Sequence, residues 1–399
     1  MDEQILTFRE LVAPIDPEVF LRDYYGKKPL HIPGAAEKFA KIFSWDQLNE
    51  LLARSTLWSD RSFELASGGR LLRAEDYCYA GVDREGKAVK KPDPARVQEH
   101  LRAGATLALD FIELQTSGLR SLAQTLEVVT GAQITASMFC SWQKTQGYAS
   151  HFDVQNVFAC HISGTKTWRI FEGRFPHAAD LPGAHRDSFP QSHHEKTKGA
   201  LLQEVHMTPG DLLYIPHGQY HDALSSSEAA MHVSFGTLHL VVHDFLEALL
   251  KDLPKDPLFR AHLPALDDLR GQQRCLEQVA GRLAEIIRQP QIAKELRDFM
   301  AKGAFERIAD YRLPERASAT RYRVRWPGMR LNAEGNGWRL SNGAQEVRLE
   351  AQVGAIAEWA MARDFFSAPQ LAAALPEADP GELEAGLARL GELSLIEPI

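Results

Sequence analysis

Cysteine is scarce: four in 399 residues, at Cys78, Cys140, Cys160 and Cys275, with no Cys-x-x-Cys pair. That spacing excludes a disulfide framework and a zinc knuckle, and it reads as isolated buried thiols. Long apolar runs are missing as well. A membrane-spanning helix needs about 18 or more such residues in a row, so none is expected. A basic excess is absent: 45 Lys and Arg face 53 Asp and Glu, a net charge of −8. Nucleic-acid coat proteins carry the opposite balance, so nucleic acid is not an expected partner. A basic protein partner is mildly favoured instead. The opening MDEQILTFRELVAPIDPEVF lacks the basic region, apolar stretch and small-residue cleavage site of a secretory signal, which points to the cytoplasm. There is no internal repeat and no low-complexity tract.

What is present fits a soluble chain of more than one domain. Hydrophobic residues make up 44% and charged residues 25%, and at about 100–200 residues per domain the length allows two to four domains. Residues Phe8 to Tyr25 and Trp45 to Leu57 have helical spacing, and Arg84 to Pro94 reads as a charged loop. Helices are expected over Pro94 to Gly104 and Ser117 to Val129. From 132 to 240 the pattern changes to short β-rich runs: ITASMFCSW, NVFACHI, KTWRIF, LLQEVHM, DLLYIP and MHVSFGTLHL. Ser163-Gly164, Pro209-Gly210 and Pro216-His217-Gly218 punctuate them, which predicts an all-β sandwich or barrel. Gly173 to Gly199 is polar, with three prolines and His177, His185, His193 and His194. It reads as an irregular insertion, and its histidines lack a regular ligand spacing. Helical pattern returns over Val242 to Leu253, Cys275 to Gln289 and Pro290 to Lys302. The end of the chain predicts strands at Arg321 to Trp326 and Gly337 to Leu340. Helices at Gln352 to Arg363, Ser367 to Leu375 and Pro380 to Leu390 follow, then a strand at Leu393 to Pro398. That order resembles a small winged-helix unit. The expected division is 1–240 with a barrel core over about 132–240, a helical segment 241–318, and a winged-helix-like domain 319–399.

The sharpest local feature is His151-Phe152-Asp153. On an extended chain, residues two apart point to the same side, so the imidazole and the carboxylate can reach one metal. A third ligand must come from elsewhere, and Tyr214-Ile215-Pro216-His217-Gly218-Gln219-Tyr220-His221 offers His217 and His221. Two His and one carboxylate leave three open positions, the facial triad of non-haem Fe(II) oxygenases. With 15 histidines in the chain, a surface His beside an Asp is the competing explanation. Context favours the metal, because both pieces fall inside one predicted barrel.

These pieces carry a resemblance. His151-Phe152-Asp153, Val157-Phe158, Gly164-Thr165-Lys166-Thr167-Trp168, Gly210-Asp211-Leu212-Leu213-Tyr214-Ile215-Pro216 and Gly218-Gln219-Tyr220-His221 resemble a jumonji C domain of the cupin superfamily. With Phe20-Leu21-Arg22-Asp23-Tyr24-Tyr25-Gly26-Lys27-Lys28-Pro29-Leu30, the chain is similar to the bacterial ribosomal-oxygenase-like (cupin-4) proteins. These are relatives of the ribosomal protein arginine and histidyl hydroxylases. The resemblance implies a mainly β fold with helical additions: a double-stranded β-helix (jelly-roll) core, then a helical segment and a winged-helix-like end. It implies Fe(II) held by His151, Asp153 and His221, with His217 at a variable turn position. It assigns Lys166 to the distal carboxylate of 2-oxoglutarate. An ammonium there would make charge-assisted hydrogen bonds, although spacing alone would read Lys166 as an exposed residue after a turn. Some relatives carry arginine at this place; lysine supplies a point charge rather than a fork. Ser234 and Asn156 are further candidates for the cofactor, Tyr148 and Trp142 for the pocket wall, and Trp168 for the core. His232, His239 and His243 read as structural or surface residues.

The implied activity is a 2-oxoglutarate-dependent dioxygenase that hydroxylates a protein side chain. The resemblance points to an arginine or histidine of a ribosomal protein, and the apolar stripes of Val242 to Lys302 fit either a homodimer interface, as in such relatives, or a buried intramolecular bundle. Two alternatives stand beside it: a metal-dependent cupin acting on a small molecule, and a non-enzymatic binding protein using its winged-helix-like end.

Overall fold

The computed structural model describes residues 6–142, 146–225, 227–302, 320–325, 330–341 and 346–399. Two antiparallel sheets form the centre of the first unit. The larger has eight strands in the order Leu30–Ile32, Leu212–Ile215, Asn156–Ser163, Ala229–Leu238, Gln133–Trp142, Thr106–Leu109, Phe63–Ser67 and Arg70–Leu71. The smaller places Lys166–Arg174 between Leu201–Met207 and Gln219–Ser225. Their inner faces meet: Val157, Ala159, Leu213 and Ile215 from one sheet pack with Trp168, Ile170, Val205 and Met207 from the other. This is the double-stranded β-helix with helical additions that the sequence implied.

The strand Asn156–Ser163 is buried on both faces over most of its length, which explains its nearly unbroken apolar run. Its outer face is covered by the N-terminal segment. Phe20 lies 5.7 Å from Phe158 and 5.0 Å from Tyr214 between ring centroids, with Tyr25 close by. That segment is two short helices, Phe8–Val12 and Pro17–Asp23, rather than the single helix expected over Phe8 to Tyr25. Pro14 removes a backbone donor between them, and Asp16 caps the second by accepting from the Glu18 amide. The expected loop Arg84 to Pro94 instead contains a strand, Ala88–Pro92, paired with Cys78–Val82. Cys78, Cys140 and Cys160 are buried free thiols, and Cys275 is half-buried.

Turns aim the important side chains. Gly164 has φ +70°, and a Cβ there would lie 1.9 Å from the Ala229 carbonyl oxygen. Only glycine fits this tight hairpin that leads into Lys166. Gly218 has φ +76°, and a Cβ would lie 2.1 Å from the Phe175 oxygen.

The described residues from 320 onward cluster with those up to 238, while the described residues from 239 to 302 form a second unit. The expected boundary at 318/319 and Trp326 lie outside the described residues. At the C-terminal end, Arg321–Val324 pairs with Phe365–Ser367 and Ile396–Pro398, and Arg330–Glu334, Gly337–Ser341 and Glu346–Glu350 form another three-stranded sheet. Helices Ala351–Met361, Ala368–Ala374 and Pro380–Glu392 pack with them around Leu340, Ile356, Phe366, Leu371 and Leu390. The Phe8 amide donates to Asp364 at 2.9 Å, tying this end to the N-terminal layer.

The second unit holds helices Val242–Leu250, Leu269–Ile287 and Pro290–Lys302. Among its described residues, the buried hydrophobic side chains are Leu249 and Ile292 alone, whereas Leu263, Leu266, Leu269 and Leu276 stand largely in solvent. Among the described residues, no helix is long and apolar enough to cross a membrane.

Candidate functional site

His151 and His221 come from distant parts of the chain and meet across an isolated antiparallel bridge. Each backbone amide donates to the other residue's carbonyl, at 3.0 Å and 2.9 Å. The Gly218 amide donates to the Asp153 carbonyl at 2.7 Å, so the Pro216-His217-Gly218 turn is tied to the same segment. Alternation then sorts the side chains: His151, Asp153 and His221 share one face, while Phe152 and Tyr220 point the other way.

The three inward groups form a compact donor set. His151 Nε2 lies 3.7 Å from Asp153 Oδ1, and His221 Nε2 lies 3.5 Å from Asp153 Oδ2. One donor atom from each falls within 4.8 Å of the others. Both imidazoles are oriented by the backbone: His151 Nδ1 donates to the Ala149 carbonyl at 2.8 Å and His221 Nδ1 to the Gln219 carbonyl at 2.9 Å. Each Nε2 lone pair is thereby left free in the cavity, the tautomer a metal ligand requires. Burial pushes the His151 imidazole down to about 3, against the pull of Asp153. Burial would raise the Asp153 carboxyl, but His151, His221 and Arg186 together hold it below its usual value. A neutral imidazole and an ionised carboxylate are the forms that bind a divalent metal, so the residues fit Fe(II).

These groups face a cavity of about 520 Å³. Lys166 lines it and is buried, with Nζ 3.1 Å from His232 Nδ1. Among the described residues, no carboxylate lies within ion-pair distance of Nζ. Burial lowers this ammonium to about 8, and the neutral His232 beside it is itself held well below the usual imidazole value by burial and by the lysine charge. Trp168 also lines the cavity, and its buried Nε1 has no hydrogen-bond partner among the described residues.

Of the other expected residues, Ser234 and Tyr148 line the cavity. Asn156 does not. Its amide donates to Thr237 at 3.3 Å and accepts from the Tyr214 hydroxyl and the His217 amide at 3.2 Å, on the opposite face of its strand from Val157. His217 Nδ1 is 3.2 Å from the same amide oxygen, turned away from the donor set. Trp142 packs on Trp45.

Several residues gave no sequence signal. His232, read as structural or surface, is a buried partner of Lys166. Glu64 and Asp110 lie on the cavity wall. Burial and the nearby Asp110 charge raise the Glu64 carboxyl, and burial raises that of Asp110. The insertion Gly173 to Gly199 is not peripheral. Its Arg186 donates to Asp153 Oδ1 at 3.0 Å, and it contains the helix Gln191–Thr197. Phe152 stacks on Phe175 at 4.7 Å and meets His194 at 5.7 Å. The Tyr220 hydroxyl is bonded to Thr197 at 2.8 Å and to His194 at 3.1 Å. The outward neighbours of the donor residues are therefore seated in the insertion.

Comparison with known proteins agrees with this geometry. Residues 113–245 match the JmjC domain. The chain is 26% identical over 252 residues to the bifunctional lysine-specific demethylase and histidyl-hydroxylase NO66 of Dictyostelium discoideum, covering 63% of this chain and 45% of that protein. It is 28% identical over 266 residues to ribosomal oxygenase 1 of Gallus gallus, covering 64% and 42%. The match thus spans less than half the length of these relatives. Among solved structures, E. coli ycfD aligns with a TM-score of 0.51 and 17% identity over 96% of this chain and 98% of that one, a likeness of fold. Residues 113–245 match a JmjC domain, and the chain is similar to ribosomal oxygenases over less than half of their length.

Proposed function

We propose that this protein is an Fe(II)- and 2-oxoglutarate-dependent dioxygenase that hydroxylates a side chain of a protein, in the first instance a ribosomal protein. The observation that carries the reading is a buried lysine without a carboxylate partner in the same cavity as a His-Asp-His donor set. Bound Fe(II) and 2-oxoglutarate would supply the oxidising chemistry, with succinate and carbon dioxide as co-products. The chain's own residues do the rest. His151, Asp153 and His221 hold the metal and leave three positions open. Lys166 receives the distal carboxylate, and that negative charge offsets the cost of burying the ammonium. Ser234, on the wall of the same cavity, would hydrogen-bond the same ligand. The apolar wall of Val157 and Trp168 excludes water around it.

Glu64 and Asp110 favour arginine over histidine as the target. Burial and the Asp110 charge raise the proton affinity of the Glu64 carboxyl and burial raises that of Asp110; an added cation relieves both, and a guanidinium presents a fork that matches them. The net negative charge of the chain assists the approach of a basic ribosomal protein. The exposed leucines of the helical unit support a homodimer. Light scattering should then give twice the chain mass for the native protein and the chain mass for Leu266→Glu.

The deciding assay is succinate formation from 2-oxoglutarate by anaerobically purified protein with Fe(II), with and without ribosomal proteins. Turnover should need His221 and Lys166 and rise with the ribosomal fraction, where mass spectrometry locates the added oxygen. No turnover and no 2-oxoglutarate binding by calorimetry would overturn the reading.

A further inference from the structure

We propose that Arg186 is a positioning residue that holds Asp153 to single-oxygen metal ligation and thereby keeps a third coordination position open. The inference rests on the metal reading of the His151, Asp153 and His221 set.

The guanidinium reaches Asp153 Oδ1 at 3.0 Å, while Oδ2 is the oxygen that faces His221 Nε2 at 3.5 Å. Oδ1 also lies 3.7 Å from His151 Nε2, so each oxygen borders one imidazole; the guanidinium engages Oδ1 and leaves Oδ2 as the oxygen not already paired with a cation. An unrestrained aspartate can turn and bind a divalent cation through both oxygens. That would use four of six positions and leave two. A bidentate keto acid and dioxygen need three between them, the number a facial triad leaves.

Arg186 is fixed independently of this contact. Its carbonyl accepts from His194 Nε2 at 3.1 Å, and His194 is itself bonded to the Tyr220 hydroxyl. The Gln191 amide donates to the Ser150 carbonyl at 3.0 Å, next to His151. The element that carries the arginine is therefore anchored on the neighbours of all three donor residues, so the guanidinium and the donor set are built as one unit. Asp187 lies 3.6 Å from Arg186 Nε and helps hold the side chain.

The test uses Co(II), whose visible absorption reports coordination number. The full-length chain is titrated anaerobically by absorption and calorimetry as wild type, His221→Ala, Arg186→Met, Arg186→Gln and Arg186→Lys, with melting temperatures recorded for each. Wild type should bind one Co(II) and His221→Ala should not; failure at this stage overturns the metal reading itself, separately from the role of Arg186. Arg186→Met and Arg186→Gln should still bind one Co(II). Their Co(II) spectrum should be altered, and 2-oxoglutarate should bind the loaded protein more weakly. Arg186→Lys should restore part of both. A wild-type spectrum and wild-type 2-oxoglutarate affinity in both neutral variants would overturn the proposal. A lowered melting temperature with an unchanged spectrum would also overturn it, since it would reduce Arg186 to a strut for the insertion.

Discussion

Lys166 and Asn156 sit ten residues apart on neighbouring strands, and the fold gives them opposite surroundings. The lysine ammonium is buried in the cavity beside the His232 imidazole, whereas the Asn156 amide is consumed by Thr237, Tyr214 and His217. Substitution should separate them. Lys166→Met removes a charge-assisted hydrogen bond of about 1.5–3 kcal/mol. The dissociation constant for 2-oxoglutarate measured by calorimetry should therefore rise roughly 10- to 100-fold, with little change in metal affinity. Asn156→Ala should behave in the reverse way. It leaves buried donors unsatisfied and should cost about 1–3 kcal/mol in a denaturant titration, while 2-oxoglutarate binding stays near wild type. The cofactor role that the sequence assigned to Asn156 is thus the one the geometry does not support. A two-residue alternation on a strand buried on both faces cannot be read for direction from one sequence, because both faces are apolar.

At the scale of elements, the insertion at 173–199 and the strands it touches behave as one piece. Phe152 is fully buried between Phe175, His194 and Tyr220. Phe152→Ala should cost about 3–5 kcal/mol of stability by denaturant unfolding. It should also weaken Co(II) binding, since His151 and Asp153 flank it in the chain. The pair His151 and Asp153 was legible because strand alternation is a local rule and His-x-Asp needs only an extended chain; His221 over His217, and Lys166, came from the resemblance, since spacing alone left both histidines open and read Lys166 as exposed. The insertion was not legible. Its contribution depends on Phe152 and Tyr220 pointing outward from a barrel whose closure is non-local, and a stretch rich in proline and histidine carries no periodicity to reveal that. The strand Ala88–Pro92 was hidden for a related reason, since its Pro and Lys residues suit a hairpin edge as well as a loop.

For the whole molecule, burial of uncharged imidazoles couples stability to acidity. Burial pushes His161 down to about 4 and His232 well below its usual value. The unfolded chain takes up these protons as pH falls through about 6.5, and the folded chain does so only near 4 or below. Stability should therefore fall on acidification across that window, by up to about 1.4 kcal/mol per pH unit for each imidazole. Melting temperatures between pH 7 and pH 4.5 should decline steadily, and His161→Gln should flatten the slope.

The bridge between His151 and His221 has a further consequence. Around the donor set the barrel is closed by the two reciprocal amide bonds of that pair and the Gly218-to-Asp153 bond, rather than by a full strand ladder. A cation gripped by side chains on both sides of this seam acts as a rivet, and chelation undoes it. The exchange of the His151 and His221 amide hydrogens with deuterated solvent becomes a direct gauge of occupancy: slow when the site is filled, faster once it is stripped, with the amides of the distant Ala229–Leu238 ladder indifferent to either.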